Sequence, residues 1–256
     1  MTVPEIIAAL APKHPRLLEA FAEAERQKDE VTPALLGILK EAAADIEATS
    51  ESESCAFVAA AYLLAQFREQ KAFPHLIDLM RIPNDEDMLD AIWGTIMTED
   101  YLALLRDTYD GNYLLLRDII EHQEYSLWPR VQALEVYSLL LADGHLTRRE
   151  LVRYLRHLLR NVYTQDLIRQ VVYEEDDDTY SDLCYFISDI AWAVTENNLI
   201  EMIDDIKPFF ETNVIGAFDY GTYDEFLKYV NGGCPLPRED RHISSAAESL
   251  SFWVKK

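Results

Sequence analysis

Basic residues, cysteine, glycine and long apolar runs are all scarce in this chain, and each scarcity closes a class of function. The 256 residues carry 23 Lys and Arg against 46 Asp and Glu, a formal net charge of −23. Nucleic-acid binding gains affinity by replacing condensed counterions with cationic side chains, so a surface of this sign argues against direct nucleic-acid partners. The same repulsion disfavours docking on an anionic membrane. An acidic surface favours solubility and attraction to basic partners.

Three cysteines, Cys55, Cys184 and Cys234, are too few and too far apart for a disulfide framework or a thiolate zinc site, and no C-x-x-C pair occurs. A reducing compartment is the natural reading. The apolar stretch 57–65, even taken with Cys55 and Ala56, is far short of the ~18 residues a spanning helix needs. Met1-Thr2-Val3-Pro4-Glu5 has no basic leader region. The expectation is a cytoplasmic protein without membrane contact. Of only eight glycines, those in Asp110-Gly111, Asp143-Gly144 and Asn231-Gly232 do not lie between alternating apolar segments. Hairpins are therefore not indicated, and the chain reads as all-α.

What is present is a recurrence. Four times an alanine-rich or aromatic-rich helix, led by 59–67, 89–97, 131–141 and 183–194, is followed after a polar turn by a second amphipathic helix. Such a pair cannot hide its own apolar face, so neighbouring pairs must stack, as in helical repeats of ~35 to 50 residues. Before the pairs, helices are expected at 4–10, 15–27 and 33–48, the last with Thr32 as N-cap and Pro33 at the first helical position. Helix 55–66 is apolar almost all round and must be covered on several sides. In 87–97, Leu89, Ile92, Trp93, Ile96 and Met97 keep the helical period, and Thr98 can cap the next stretch to 109.

The third pair is the clearest. Helix 129–142 is stopped at Gly144, and Thr147-Arg148-Arg149-Glu150 is a capping box starting a helix to about residue 160. On that helix Leu151, Leu155, Leu158 and Val162 share one side, and Arg149, Arg153, Arg156 and Arg160 form a stripe opposite them. The fourth pairs 181–195 with 200–211, where Pro208 is expected to kink the second helix. Thr222-Tyr223-Asp224-Glu225 is another capping box. A last piece, 245–254, is expected to dock Leu250, Phe252 and Trp253. The organisation is thus one domain, 1–256, with a cap at 1–49, about four pairs over 50–215, and a cap at 216–256.

The alanine-led first helices, with Ala59-Ala60-Ala61, Ala91-Ile92-Trp93 and Ala133-Leu134, and the leucine-rich second helices resemble the HEAT and armadillo class of α-solenoids. In length, acidity and helix order the chain resembles a bacterial family of HEAT-like proteins with no assigned activity. The resemblance implies an α-solenoid of helical hairpins and transfers no functional residue.

No H-E-x-x-H, G-x-S-x-G, Walker loop or G-x-G-x-x-G is present. The acidic run 174–178, with Asp182, lacks the spacing of an EF-hand. No catalytic residue, cofactor or metal is expected. His145 and His157 flank the arginine stripe and read as solvated. Cys184 reads as a core thiol and Cys234 as an exposed one. Asp90, Glu135 and Asp189 sit within apolar helices, where an unpartnered carboxylate would carry a raised pKa. The best candidate is the stripe Arg149, Arg153, Arg156 and Arg160, able to grip carboxylates or phosphates through paired N–H donors. The chain is expected to be a non-enzymatic interaction scaffold binding a protein or peptide along its groove. Two alternatives stand beside it: an enzyme pairing a buried carboxylate with a histidine, and an acidic decoy that mimics nucleic acid.

Overall fold

A computed structural model describes residues 1–52, 55–173, 177–216, 220–233 and 241–253. Among these the secondary structure is helical throughout, with one isolated antiparallel bridge between Pro83 and Tyr125. No helix among them is long and apolar enough to cross a membrane. The chain divides into two compact units, one formed by 1–115, 124–129 and 241–256, the other by 116–123 and 130–240.

The first unit is built round helix Ala56–Gln66, whose side chains from Phe57 to Ala65 are all buried. A helix with no polar face needs cover on several sides. It packs against Lys28–Ala44, Tyr101–Thr108 and Ala246–Ser249. Ala59, Ala60 and Ala61 have no accessible surface.

Local chemistry moves several boundaries. Helix Lys28–Ala44 starts five residues before the expected Pro33, which lies inside it, and Thr32 donates its hydroxyl to Lys28 O at 2.8 Å instead of capping. The expected helix 87–97 is two pieces, Glu86–Ile92 and Ile96–Glu99. Gly94, at φ +48°, takes the left-handed conformation that interrupts it. Trp93 at the break remains buried, its indole N–H donating to Leu79 O at 3.2 Å and its ring meeting Phe57 and Tyr101 edge-on. Thr98 does not cap the next helix; it donates to Thr95 O at 3.2 Å. Tyr101–Thr108 follows Asp100, whose carboxylate accepts the Tyr62 hydroxyl at 2.5 Å. Burial first, and then this carboxylate, push the Tyr62 phenol well above its ordinary pKa.

Residues 241–253 belong to the first unit. Ala246 N donates to the Gln66 side-chain oxygen at 2.7 Å, and Lys13 N donates to Trp253 O at 3.0 Å. Leu250 and Trp253 are buried as expected, whereas Phe252 is 54% exposed. The short helix Ala246–Ser249 and the 3₁₀ turn Ser251–Trp253 direct these neighbouring side chains to different sides.

In the second unit, the part of helix Leu127–Ala142 from residue 130 onward contributes buried Val131, Ala133, Leu134, Val136 and Tyr137. Helix Arg148–His157 opens with the expected capping box and passes into a π-helical turn, Leu158–Val162. Its apolar side, including Leu151, Leu155 and Leu158, is buried. Helices Gln165–Tyr173 and Asp177–Glu196 follow, then a 3₁₀ turn at Ile200–Met202 leading into Ile203–Glu211, with Pro208 inside the helix. Trp192, Phe210, Tyr220 and Phe226 form a ring cluster, with Trp192 and Tyr220 centroids 4.4 Å apart. The second capping box starts Tyr223–Lys228.

Candidate arginine-lined binding site

The arginine helix is placed by its own sequence. Thr147 and Glu150 satisfy each other at its start, with Thr147 N donating to the Glu150 carboxylate at 2.8 Å. Those bonds from Thr147 hold Glu150 below its ordinary pKa. With the leucine side buried, the polar side faces a groove of about 760 Å³ lined by Arg148, Arg149, Arg153, Arg156 and Arg160, with His157, Asn161 and Glu201. All four expected arginines therefore share one surface, joined by Arg148.

They do not share one role. Arg148 forks onto Glu201 through Nε at 2.8 Å and a terminal nitrogen at 2.7 Å. Its terminal nitrogens also donate to Asn197 O at 3.1 Å and Asn198 O at 2.5 Å. These carbonyls follow the end of helix Asp177–Glu196, where acceptors lack intrahelical donors and a cation is favoured. Arg148 holds Glu201 below its ordinary pKa, and Glu201 in turn raises that of Arg148.

Arg156 donates Nε to one oxygen of Asp205 at 2.8 Å and a terminal nitrogen to Glu201 O at 2.6 Å. Arg160 donates to the other Asp205 oxygen at 2.5 Å. The Asp205 carboxylate is only 10% exposed, while Arg156 and Arg160 are 37% and 65% exposed, so the acid is shielded and its partners still reach water. Half of the stripe thus pins the arginine helix to helix Ile203–Glu211. Sequence spacing could place the arginines on one face, but not show that Asp205, some 50 residues later, would meet two of them.

Arg149 and Arg153 are different. Both are exposed, and neither makes a hydrogen bond or ion pair with any described residue, although Arg153 acts on Glu150 through its field. His157 is also exposed; its Nε2 lies 3.8 Å from Glu121, and its Nδ1 faces the Asn161 amide at 3.3 Å. Beside the groove, the Arg117 guanidinium lies 4.2 Å from the ring centre of Tyr154 and 5.2 Å from that of Tyr137. Burial raises the Tyr154 phenol above its ordinary pKa, suiting it to packing rather than proton exchange.

The remaining candidates lie apart. Asp90 is exposed, Glu135 is half-buried and accepts from Gln132 at 3.3 Å, and Asp189 is half-buried. Cys184 is half-buried rather than a sealed core thiol. Cys234 and the acidic residues 174–176 lie outside the described residues. Among the described residues no three His, Cys, Asp or Glu side chains are placed to hold a metal ion.

One buried carboxylate escaped sequence reasoning. Asp107, whose side chain is 1% exposed, accepts from Arg68 and from His242 Nδ1, and from Ile243 N at 2.7 Å. Its position on helix Tyr101–Thr108 gave no local signal, because its partners come from residues 39 positions before and 135 after it.

The chain is 34% identical over 144 residues to a protein of Chlamydia trachomatis serovar D described as uncharacterized, covering 55% of each chain. It matches an uncharacterized protein of Chlamydia muridarum at the same identity, over 55% of this chain and 56% of the relative. The chain thus spans about half the length of the curated relatives it matches. No solved structure matches it. Residues 1–216, which include the whole arginine helix and its anchors on Glu201 and Asp205, match a protein family described as "Protein of unknown function (DUF1186)", and the chain belongs to that family.

Proposed function

We propose that this chain is a non-enzymatic, cytoplasmic interaction protein of the HEAT-like helical-hairpin type, and that its arginine groove docks an acidic segment of a partner protein. The observation that carries this reading is the division of labour among the arginines. Arg148, Arg156 and Arg160 are engaged by Glu201 and Asp205, which ties the helix to its neighbour. Arg149 and Arg153 are thereby presented from a fixed surface with their donors unused by described residues. The planar guanidinium fork is itself pre-organised, so less freedom is lost per hydrogen bond formed with a carboxylate, and a paired grip is stronger than a point contact.

The net charge of −23 does not forbid an acidic partner. At physiological salt the screening length is about 8 Å, so the partner feels the groove more than distant carboxylates.

The test is fluorescence anisotropy with a labelled decaglutamate peptide. Wild-type protein is expected to bind it with an affinity that weakens as salt rises, and the variant R149E/R153E to bind at least ~10-fold more weakly. Equal binding by the two proteins, or no binding by wild type at millimolar peptide, removes the groove from consideration.

A further inference from the structure

We propose that the groove is selective for a phosphate monoester, carried on a side chain of the docking segment, and that Arg149 and Arg153 together grip its terminal oxygens. The inference rests on the docking function proposed above and narrows it to one chemical group. Two features of the helix carry it.

The first is spacing. Arg156 and Arg160, four residues apart, converge on one anionic group, each taking a different oxygen of Asp205. Arg149 and Arg153 have the same four-residue spacing one helical stretch earlier, on the same groove. Residues at i and i+4 are neighbours on a helix surface, so this pair can also meet one shared anion. The nearest carboxylate in sequence, Glu150, is turned to Thr147 at 2.7 Å and 2.8 Å. Asp205 is therefore an internal example of two arginines meeting one anion; the exposed pair, in regular helix where Arg160 lies in the π-helical turn, offers the same spacing to a group from outside.

The second is charge. Around the groove, Glu201 and Asp205 answer Arg148, Arg156 and Arg160, while Glu150 lies between Arg149 and Arg153 in sequence and is spent on the helix cap. Two guanidiniums thus face the same solvent-filled space. A carboxylate can offer one oxygen to each guanidinium, as Asp205 does, but its single charge leaves one of the two positive charges uncompensated. A phosphate monoester brings about −1.5 to −2 and three terminal oxygens, enough to engage both forks at once. The groove's volume of about 760 Å³ also admits a group larger than a carboxyl, together with neighbouring peptide. His157, on the same wall, adds a ring nitrogen at the edge of the site.

Three labelled decapeptides of one acidic sequence, differing at a central position that is Ser, Glu or phosphoserine, test the inference by anisotropy. Supporting results are binding of the phosphoserine peptide at least 10-fold tighter than the glutamate peptide, with R149Q/R153Q erasing that preference and R169Q, at an exposed arginine outside the groove, retaining it. Thermal melts of both variants check that the fold is kept. Equal affinity for the Glu and phosphoserine peptides, both lost in R149E/R153E, overturns the phosphate inference and leaves the docking function standing. No binding of any peptide overturns both. Free O-phosphoserine competing as strongly per mole as the phosphopeptide overturns the assignment to a protein-borne group and points to a small phosphate ester. A single-stranded oligonucleotide competing more strongly than the phosphopeptide overturns it in favour of a nucleic-acid backbone.

Discussion

Asp107 shows how one buried carboxylate organises distant parts of a chain. Arg68, His242 and Ile243 N all meet it, and Arg68 does so from a left-handed backbone, φ +56°, at the end of helix Ala56–Gln66. There Arg68 N donates to Ala65 O and Glu69 N to Leu64 O, both at 2.9 Å, a helix stop usually built with glycine. A side chain in this conformation costs about 1 kcal/mol. Leaving a buried carboxylate or its donors unpaired costs about 3 kcal/mol or more, which is the larger effect and accounts for an arginine at this position. Asp107→Ala, which strips Ile243 N of its acceptor and releases Arg68 and His242, is expected to lower unfolding free energy by about 2 kcal/mol in urea titration, and to speed proteolysis within 241–253. A variant as stable as wild type, with that segment equally protected, would contradict the assigned role. No sequence pattern exposed the clasp: Arg68 stands where glycine is usual, and His242 carries no motif.

At the scale of elements, local chemistry was legible and long-range pairing was not. The Thr147 and Glu150 box and the leucine side placed the arginine helix to within a few residues, since a cap is satisfied by neighbours in sequence. The apolar helix at 56–66 was equally readable from its lack of a polar face. Helix 87–97 was misread because its apolar period continues through Gly94, whose positive φ interrupts it. Pro33 misled as a start signal because the helix had already begun at Lys28. The tie from Arg148 to Glu201 gives this level its own prediction. Glu201 titrates below its ordinary value of 4.5 in the folded protein because of the Arg148 hydrogen bonds. The native state then binds fewer protons than the unfolded chain in acid, so this contribution is complete above the unfolded value and fades as pH falls through the native one. In urea unfolding, Arg148→Ala should lower the midpoint near pH 7, and the gap from wild type should narrow toward pH 3. A gap that stays constant or widens in acid would show that Glu201 is not the titrating partner.

For the whole molecule, composition foretold an all-helical chain but not its grouping. Reading helices in order suggested a linear row with a cap at each end, because adjacency in sequence was the only guide to adjacency in space. The structure instead gathers 241–253 with the helices of the first 115 residues. The family match ends at residue 216, before this segment, although Ala246, Leu250 and Trp253 are buried in the first unit. Deleting 241–256 is expected to lower the melting temperature by at least ~5 °C, since each large apolar side chain withdrawn from a core is worth about 1.5–3 kcal/mol. The arginine groove, lined entirely by residues of the second unit, should keep its affinity for decaglutamate. An unchanged melting temperature would mean that those contacts contribute nothing measurable.

The hold of Asp107 on His242 and Ile243 also sets a schedule for synthesis. A ribosome adds roughly 5–20 residues per second, and a domain is ordinarily ready to fold once its last residue emerges. Here helices made early wait for residues made 136 to 180 positions later, so a nascent chain carries an open seam along Gln66 and Asp107 until those residues emerge, a period in which chaperones have the clearest access to it.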